Sequence, residues 1–281
     1  MEYPDQPLPS LIKVPLTPRD NYRVSPNSGR TLKIAHISDT HLGLRERTVY
    51  VPTHPESSEP VKTRVSSFEK FRGLLKTLQK LDPDVIIHTG DITDQKLDDN
   101  YSRYKEFKSK LPGLSSDGLL LYTRGNHDQL LSRTDLCELF SGWEVLSLEE
   151  NGPVPLVNKQ IIVYGTDYRK DLSSEPSIRP STRNTDGSVR IGVFHQSIRR
   201  ISRSYDANTK LNELPPSSIN TSSFYDLLLL GHMHTNTVQQ EGECLLIDGG
   251  STLGLNTPST VGLLTFSEAG SHYQRFPLWL E

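Results

Sequence analysis

Five times along this chain, a short apolar run ends within a few positions of a side chain able to bind a metal ion. Leu32-Lys33-Ile34-Ala35-His36-Ile37 leads to Asp39-Thr40-His41, and Val85-Ile86-Ile87-His88 leads to Gly90-Asp91. Leu119-Leu120-Leu121-Tyr122 leads to Gly125-Asn126-His127-Asp128. The run ending at Val193-Phe194 leads to His195, and Leu227-Leu228-Leu229-Leu230 leads to Gly231-His232-Met233-His234. In open α/β sheets, functional groups gather beyond the carboxyl ends of the strands. A chain that repeats this placement five times is therefore expected to set its strands side by side, with these ends together.

The intervening sequence supports that arrangement. Apolar positions Val65, Phe68, Phe71, Leu74, Leu75, Leu78 and Leu81 fall at helical spacing and stop before Pro83. A second helix is expected over 97–111. The continuous run at 85–87 suits a strand buried on both faces. Strand, loop and helix alternate, which predicts βαβ units and a mostly parallel sheet. The second half is richer in strands, with candidates at 144–148, 160–165, 189–194, 225–230, 244–248 and 261–266. Residues 1–30, rich in Pro, Ser and Asn, read as an extended arm. Residues 44–62, with Pro52, Pro55 and Pro60, read as a long loop insertion, and 173–187 as a polar loop. No linker divides the rest, so 31–281 is expected to be a single α/β domain with two packed sheets.

Composition narrows the partners. The formal net charge of −3 gives no global basic footprint, so a nucleic acid would need a local patch. Arg45 and Arg47, just after His41-Leu42-Gly43, and Arg199 and Arg200, just after His195, are the candidates for contacting phosphate. Cys137 and Cys244 offer no disulfide framework and are expected to be buried free thiols. There is no basic segment before an apolar run at the N-terminus and no run long enough to span a bilayer, so a cytoplasmic protein without a membrane partner is expected.

Asp39, His41, Asp91, Asn126, His195, His232 and His234 are too many ligands for one zinc ion. They suit two octahedral-leaning ions that share a carboxylate. In an extended segment, side chains two apart point the same way, so Asp39 and His41, and His232 and His234, are expected to face one site. The mixed oxygen and imidazole set favours Mn2+, with Fe or Zn2+ as alternatives. Two such ions can clamp the attacking and leaving oxygens of a phosphodiester. His127 is expected to protonate the leaving oxygen or stabilise the transition state, with Asp128 holding its imidazole. His36 and His88, inside apolar strands, are expected to be hydrogen-bonded core residues, and His54 and His272 to lie on the surface.

These residues resemble the calcineurin-like metallophosphoesterase superfamily, whose pattern is D-x-H, G-D, G-N-H-[D/E], H and G-H-x-H. Every element is present in order from Asp39 to His234. The resemblance implies a two-sheet β-sandwich flanked by helices (αββα) and two divalent metal ions. Asp39, His41, Asp91 and His234 would hold one ion, and Asp91, Asn126, His195 and His232 the other. It also implies attack on phosphorus by a hydroxide bridging the ions. His36-Ile37-Ser38-Asp39-Thr40-His41-Leu42-Gly43, Arg64-x-x-x-Phe68 and His195-Gln196 resemble the catalytic domains of SbcD-type DNA-repair exonucleases. The segment after His234 reads as closing strands, where those enzymes carry a capping domain. A nuclease-like phosphodiesterase acting on DNA is the expectation. A small-molecule or cyclic-nucleotide phosphodiesterase is the alternative, and a non-catalytic scaffold the remote one. Protein partner and oligomeric state are left open.

Overall fold

The computed structural model describes residues 6–7, 31–43, 47–51, 61–94, 114, 118–128, 132–157, 160–169, 188–198, 213–214, 224–241, 244–252, 259–267 and 270–278. Two mixed sheets make up the body. The first is built on four parallel strands in chain order, β2 (Leu32–Ile37), β5 (Val85–His88), β6 (Leu119–Tyr122) and β7 (Glu144–Ser147). On the other side of β2, β16 (Thr260–Ser267) and β17 (Gly270–Pro277) add antiparallel, and β1 (Gln6–Pro7) pairs with β17. The second sheet repeats the plan with parallel β9 (Ile161–Thr166), β10 (Val189–Phe194), β13 (Leu227–Leu230) and β15 (Cys244–Asp248). Antiparallel β8 (Val154–Leu156) and β14 (Val238–Glu241) form its two edges.

Alternation along each strand explains the layers. Leu119 and Leu121 point into the core between the sheets, with Ile34, Ile87, Ile191, Val193, Leu227 and Leu229. Leu120 and Tyr122 point the other way, into a second core with Phe71, Leu74, Leu75 and Leu78 of α1 (Ser67–Leu81) and Phe140 after α2 (Arg133–Leu139). The outer face of the second sheet carries Phe194, Tyr225, Leu228, Leu230 and Leu246, all buried. Both faces of both parallel quartets are therefore covered, as uninterrupted apolar runs require.

Several boundaries differ from the expectations. Helix α1 starts at Ser67, because the Ser66 hydroxyl accepts the Glu69 N–H at 3.1 Å and the Glu69 carboxylate accepts the Ser66 N–H at 3.1 Å. This capping box fixes the first turn there. The residues just before it belong to β4 (Val61–Val65), which pairs antiparallel with β3 (Arg47–Val51). The 44–62 segment thus contains strand where an irregular loop was expected. The strand expected over 144–148 gives way to α3 (Leu148–Asn151), whose N-cap is Ser147. Short parallel strands β11 (Ser197–Ile198) and β12 (Glu213–Leu214), like β8, β14 and β17, were not anticipated. Cys244 is buried as expected, but Cys137 is exposed, on the outer side of α2. The helix expected at 97–111, the loop at 173–187 and His54 lie outside the described residues. His272 is exposed as expected.

Leu229 is fully buried in the core between the sheets. Leu229→Ala is expected to lower unfolding free energy by about 2–5 kcal/mol, measured by urea denaturation.

Candidate metal centre

The strand ends converge as the parallel quartets dictate. Asp39 follows β2, Asp91 follows β5, Asn126 follows β6, His195 follows β10 and His232 follows β13. Two clusters form. In one, the His234 Nε2 lies 2.9 Å and the His41 Nε2 3.9 Å from Asp39 Oδ1. In the other, the His195 Nε2 lies 3.2 Å from Asp91 Oδ2, and Asn126 Oδ1 lies 3.2 Å from His195 Nε2 and 3.1 Å from His232 Nδ1. Asp91 joins them, because its Oδ2 is also 3.6 Å from the His41 Nε2. Ligand-type atoms of Asp39, His41 and His234, and of Asp91, His195 and His232, gather closely enough to hold a cation in each group.

The route to this geometry differs from the extended-segment argument. Asp39, His41, Asp91, His232 and His234 all have positive φ, between 39° and 84°. The segments are turns rather than strands, and His232 and His234 face different clusters. Hydrogen bonds hold the turns: Asp39 N–H donates to Gly90 O (3.0 Å) and His41 N–H to Asp91 O (2.9 Å). The His232 N–H donates to the Asp39 carboxylate at 3.2 Å. Gly90 has φ 94°, and a Cβ there would meet the His195 ring at 2.6 Å. A Cβ at Gly125 would lie 2.1 Å from Asp91 Oδ1. Only glycine admits either approach.

The buried polar residues around the clusters set tautomers. His195 donates from Nδ1 to the Thr89 carbonyl at 2.7 Å, so Nε2 is the nitrogen that faces Asp91 and Asn126. His88 accepts the Gly90 N–H at Nδ1 (3.2 Å), so its Nε2–H donates to Thr40 Oγ1 (3.1 Å), which in turn donates to the Ile92 carbonyl (2.7 Å). His36 pairs with Thr89 Oγ1 at 3.2 Å. Both strand histidines are thus hydrogen-bonded core residues, as expected. Neither nitrogen of the buried His41 ring has a hydrogen-bond partner among the described residues, although Nε2 faces two carboxylates. An orphaned imidazole between two carboxylates is what a cation ligand looks like, so the donor set fits a metal pair.

His127 lies at the rim with its side chain 32% exposed, open to a substrate. Its Nδ1 is 2.9 Å from Asp94 Oδ1, and its Nε2 faces the clusters, 4.0 Å from Asp91 Oδ2. The expectation that Asp128 holds this ring is corrected. Asp128 is fully buried and accepts the backbone N–H groups of Ile92 (3.1 Å), Thr93 (2.9 Å) and Gly125 (2.8 Å). It pins the Gly125 turn to the Asp91 turn. Asp94, three residues after Asp91, was missed; the Asp91-x-x-Asp94 spacing was its only signal. Asp248 was missed too. It accepts from the Thr235 hydroxyl and the Gly250 N–H, securing the turn that carries His234. Arg124 is paired with Glu150 (3.0 Å) and Asp167 (3.5 Å). Tyr168 packs beside His195 and His232, and nothing in the sequence signalled it. Arg45, Arg199 and Arg200 lie outside the described residues, and Arg47 is in β3.

Electrostatics separate the two halves. Burial pushes the Asp39 carboxyl up, but the charge and hydrogen bond of His234, then His195 and His41, outweigh it and hold the group well below the usual range. Burial likewise pushes His195 down, but Asp91 overrides it and brings the group up to about 9. His232 is brought down to about 4 by burial and by the charge of His195. A cation taken up at His195 must displace its proton, so uptake strengthens as pH rises.

The comparisons with known proteins agree with this geometry. Residues 32–236 match the family described as calcineurin-like phosphoesterase. The chain belongs to that family. Its members hydrolyse phosphoester bonds with two divalent metal ions, so this chain is a metal-dependent phosphoesterase. It is similar to the DNA double-strand break repair protein Mre11 of Saccharolobus solfataricus, 26% identical over 235 residues that cover 78% of this chain and 54% of the relative. The chain thus spans about half the length of that relative. Among solved structures, it resembles a putative 5'-nucleotidase from Staphylococcus aureus at 15% identity and TM-score 0.51, covering 88% of this chain and 54% of the other. It also matches an archaeal phosphodiesterase at 15% identity and TM-score 0.45, covering 88% and 100%. The nucleotidase likeness shows the two-sheet fold. No helix among the described residues is long and apolar enough to cross a membrane.

Burial brings both His36 and His88 down to about 3, from 6.5. In the unfolded chain both protonate near 6.5, so the unfolded state binds more protons below that pH. The stability they contribute is fully present above 6.5 and is lost as pH falls toward 3. His195 acts oppositely and in another window, above 6.5. Metal-free His88→Asn is expected to show a shallower loss of unfolding free energy between pH 6.5 and 4, by about one proton's slope. Urea titrations at several pH values check this.

Proposed function

We propose that the chain is a two-metal phosphodiester hydrolase of nuclease type that acts on DNA. Asp39, His41, Asp91 and His234 would hold one cation, and Asp91, Asn126, His195 and His232 the other, with Asp91 shared. Their grouping around one buried carboxylate supports this assignment. The oxygen and imidazole donors suit Mn2+ best, with Fe or Zn2+ as alternatives. When bound, such ions supply a nucleophile at neutral pH and stabilise charge on the phosphoryl oxygens. The chain's own residues do the rest. Asp94 accepts from the His127 Nδ1–H and fixes the ring, so Nε2 is the atom that delivers a proton to the departing oxygen. The hydrogen-bonded turns hold the ligands in place before substrate arrives. Residues 31–281 would form this catalytic domain, with 1–30 as an arm from which only Gln6–Pro7 is described, paired with β17.

DNA as substrate rests on one observation, the likeness to the archaeal repair protein along 235 residues. Arg45, Arg47, Arg199 and Arg200 are the proposed contacts to the nucleic-acid backbone. The deciding experiment compares Mn2+-dependent cleavage of single- and double-stranded DNA with that of cyclic AMP at equal enzyme. Faster turnover of DNA is expected. Faster turnover of cyclic AMP would replace this reading with a small phosphodiesterase, and inertness toward bis-p-nitrophenyl phosphate would leave a scaffold.

His127→Ala is expected to keep both metals by elemental analysis while kcat falls about 100-fold or more. Turnover near wild type would remove His127 from the mechanism.

A further inference from the structure

Tyr168 occupies a place that the ligand set and the His127–Asp94 pair leave unexplained. It stands two residues beyond the end of β9, against the half of the cluster formed by Asn126, His195 and His232. Its ring centroid is 5.6 Å from that of His232, tilted 34°, and 6.1 Å from that of His195, near edge-on. Three contacts hold it there. Its backbone N–H donates to the Arg124 carbonyl at 2.8 Å, and Asp167 Oδ1 accepts the Arg124 N–H at 2.8 Å. The Arg124 guanidinium reaches Asp167 Oδ2 at 3.5 Å. Residues 167–168 are thereby locked to the residue that opens the Gly125-Asn126-His127 turn. Tyr168 therefore moves with Asn126 and His127 as one unit.

Among the described residues, the Tyr168 O–H has no hydrogen-bond partner, and the side chain is only partly buried. A phenol used only for packing has no need of a polar tip beside a charged cluster, where phenylalanine would fill the same space. A phenol O–H is a hydrogen-bond donor at neutral pH. A donor rigidly held next to two imidazoles and a buried carboxylate suits an anionic oxygen.

We propose that Tyr168 is a substrate-positioning residue whose hydroxyl donates to a non-bridging oxygen of the phosphoryl group seated over the His195–His232 half of the site. This rests on the phosphoesterase reading of the cluster. The contact orients the phosphorus in the bound substrate and persists as charge builds on its oxygens, so it bears on both KM and kcat.

The test uses the full chain loaded with Mn2+, comparing wild type, Tyr168→Phe and Tyr168→Ala. Hydrolysis of bis-p-nitrophenyl phosphate and the affinity for inorganic phosphate by calorimetry are the readouts. Tyr168→Phe is expected to keep the metal content and unfolding midpoint of wild type. Its kcat/KM and phosphate affinity should each fall about tenfold, the loss of one hydrogen bond to a charged group. Wild-type values of both in Tyr168→Phe would overturn the proposal, including the case where only Tyr168→Ala is impaired, because the ring alone would then matter. A wild type that binds two Mn2+ ions but does not hydrolyse the ester would refute the phosphoesterase reading instead. Phosphate affinity still decides the hydroxyl contact in that case: weaker binding by Tyr168→Phe supports it, and equal binding overturns it.

Discussion

The Asp91 carboxylate is the point on which the structure turns. It is buried, and a buried carboxylate is costly unless charges and hydrogen bonds compensate it. The compensation comes from both sheets. His195, at the end of β10, approaches Oδ2 to 3.2 Å from the second sheet, and His41, beyond β2, approaches it to 3.6 Å from the first. The backbone N–H of His127, beyond β6, donates to Oδ1 at 2.9 Å. Three strand ends thus meet at one side chain, and moving any one of them by one residue would remove one of its partners. The same closeness explains why residue 125 is glycine, since a methyl group there would occupy the space of Asp91 Oδ1.

Holding ligands at strand ends has a conformational cost. Five of the proposed ligands adopt left-handed backbone, which disfavours non-glycine residues by roughly 1–2 kcal/mol each. Local sequence alone would not keep them there. The turns are over-determined by long-range contacts: Ser251 and Thr252 donate to the carbonyls of Asp39 and Ser38, and Asp248 holds the turn after His232. The strain is sustained by two sheets whose apolar strands are buried on both faces. A rigid sandwich is thus a condition for the site, because a softer scaffold would let these residues relax to extended backbone.

Much of this was legible in the sequence, and what was not has a physical reason. The central parallel strands were readable because double-sided burial demands continuous apolar runs. Edge strands β8 and β14 were not, because one side of an edge faces solvent and Val238-Gln239-Gln240-Glu241 carries no such run. The β3–β4 pair was hidden by the surrounding prolines. The clustering of these residues was legible because cation chemistry restricts the side chains that could serve and strand ends restrict where they can sit. The convergence of Asp39 with His41 was foreseen for a reason that does not hold, since turns bring them together. Tyr168 was invisible because it joins the site through the packing of β9 beside β10, a contact between sheet neighbours that no local motif records.

Asp94 and Asp128 show why a motif can name the right residues and misassign their work. Both carboxylates lie close to His127 in the chain or in space. Asp128, next to it in sequence, is fully buried and already accepts three backbone N–H groups and the Thr93 hydroxyl, which together occupy its roughly four lone-pair sites. A carboxylate saturated this way fixes geometry and has nothing left for a ring. Asp94 stays 26% exposed, and its Oδ1 meets the imidazole at 2.9 Å. The division follows from burial. The saturated aspartate binds the Gly125 turn to the Asp91 turn, so that His127 and Asp91 keep a fixed separation. The exposed one can then orient the imidazole that is proposed to gain and lose a proton at the solvent-facing rim. Exchanging the two environments would leave a site with the same residues but neither the fixed turns nor the oriented imidazole.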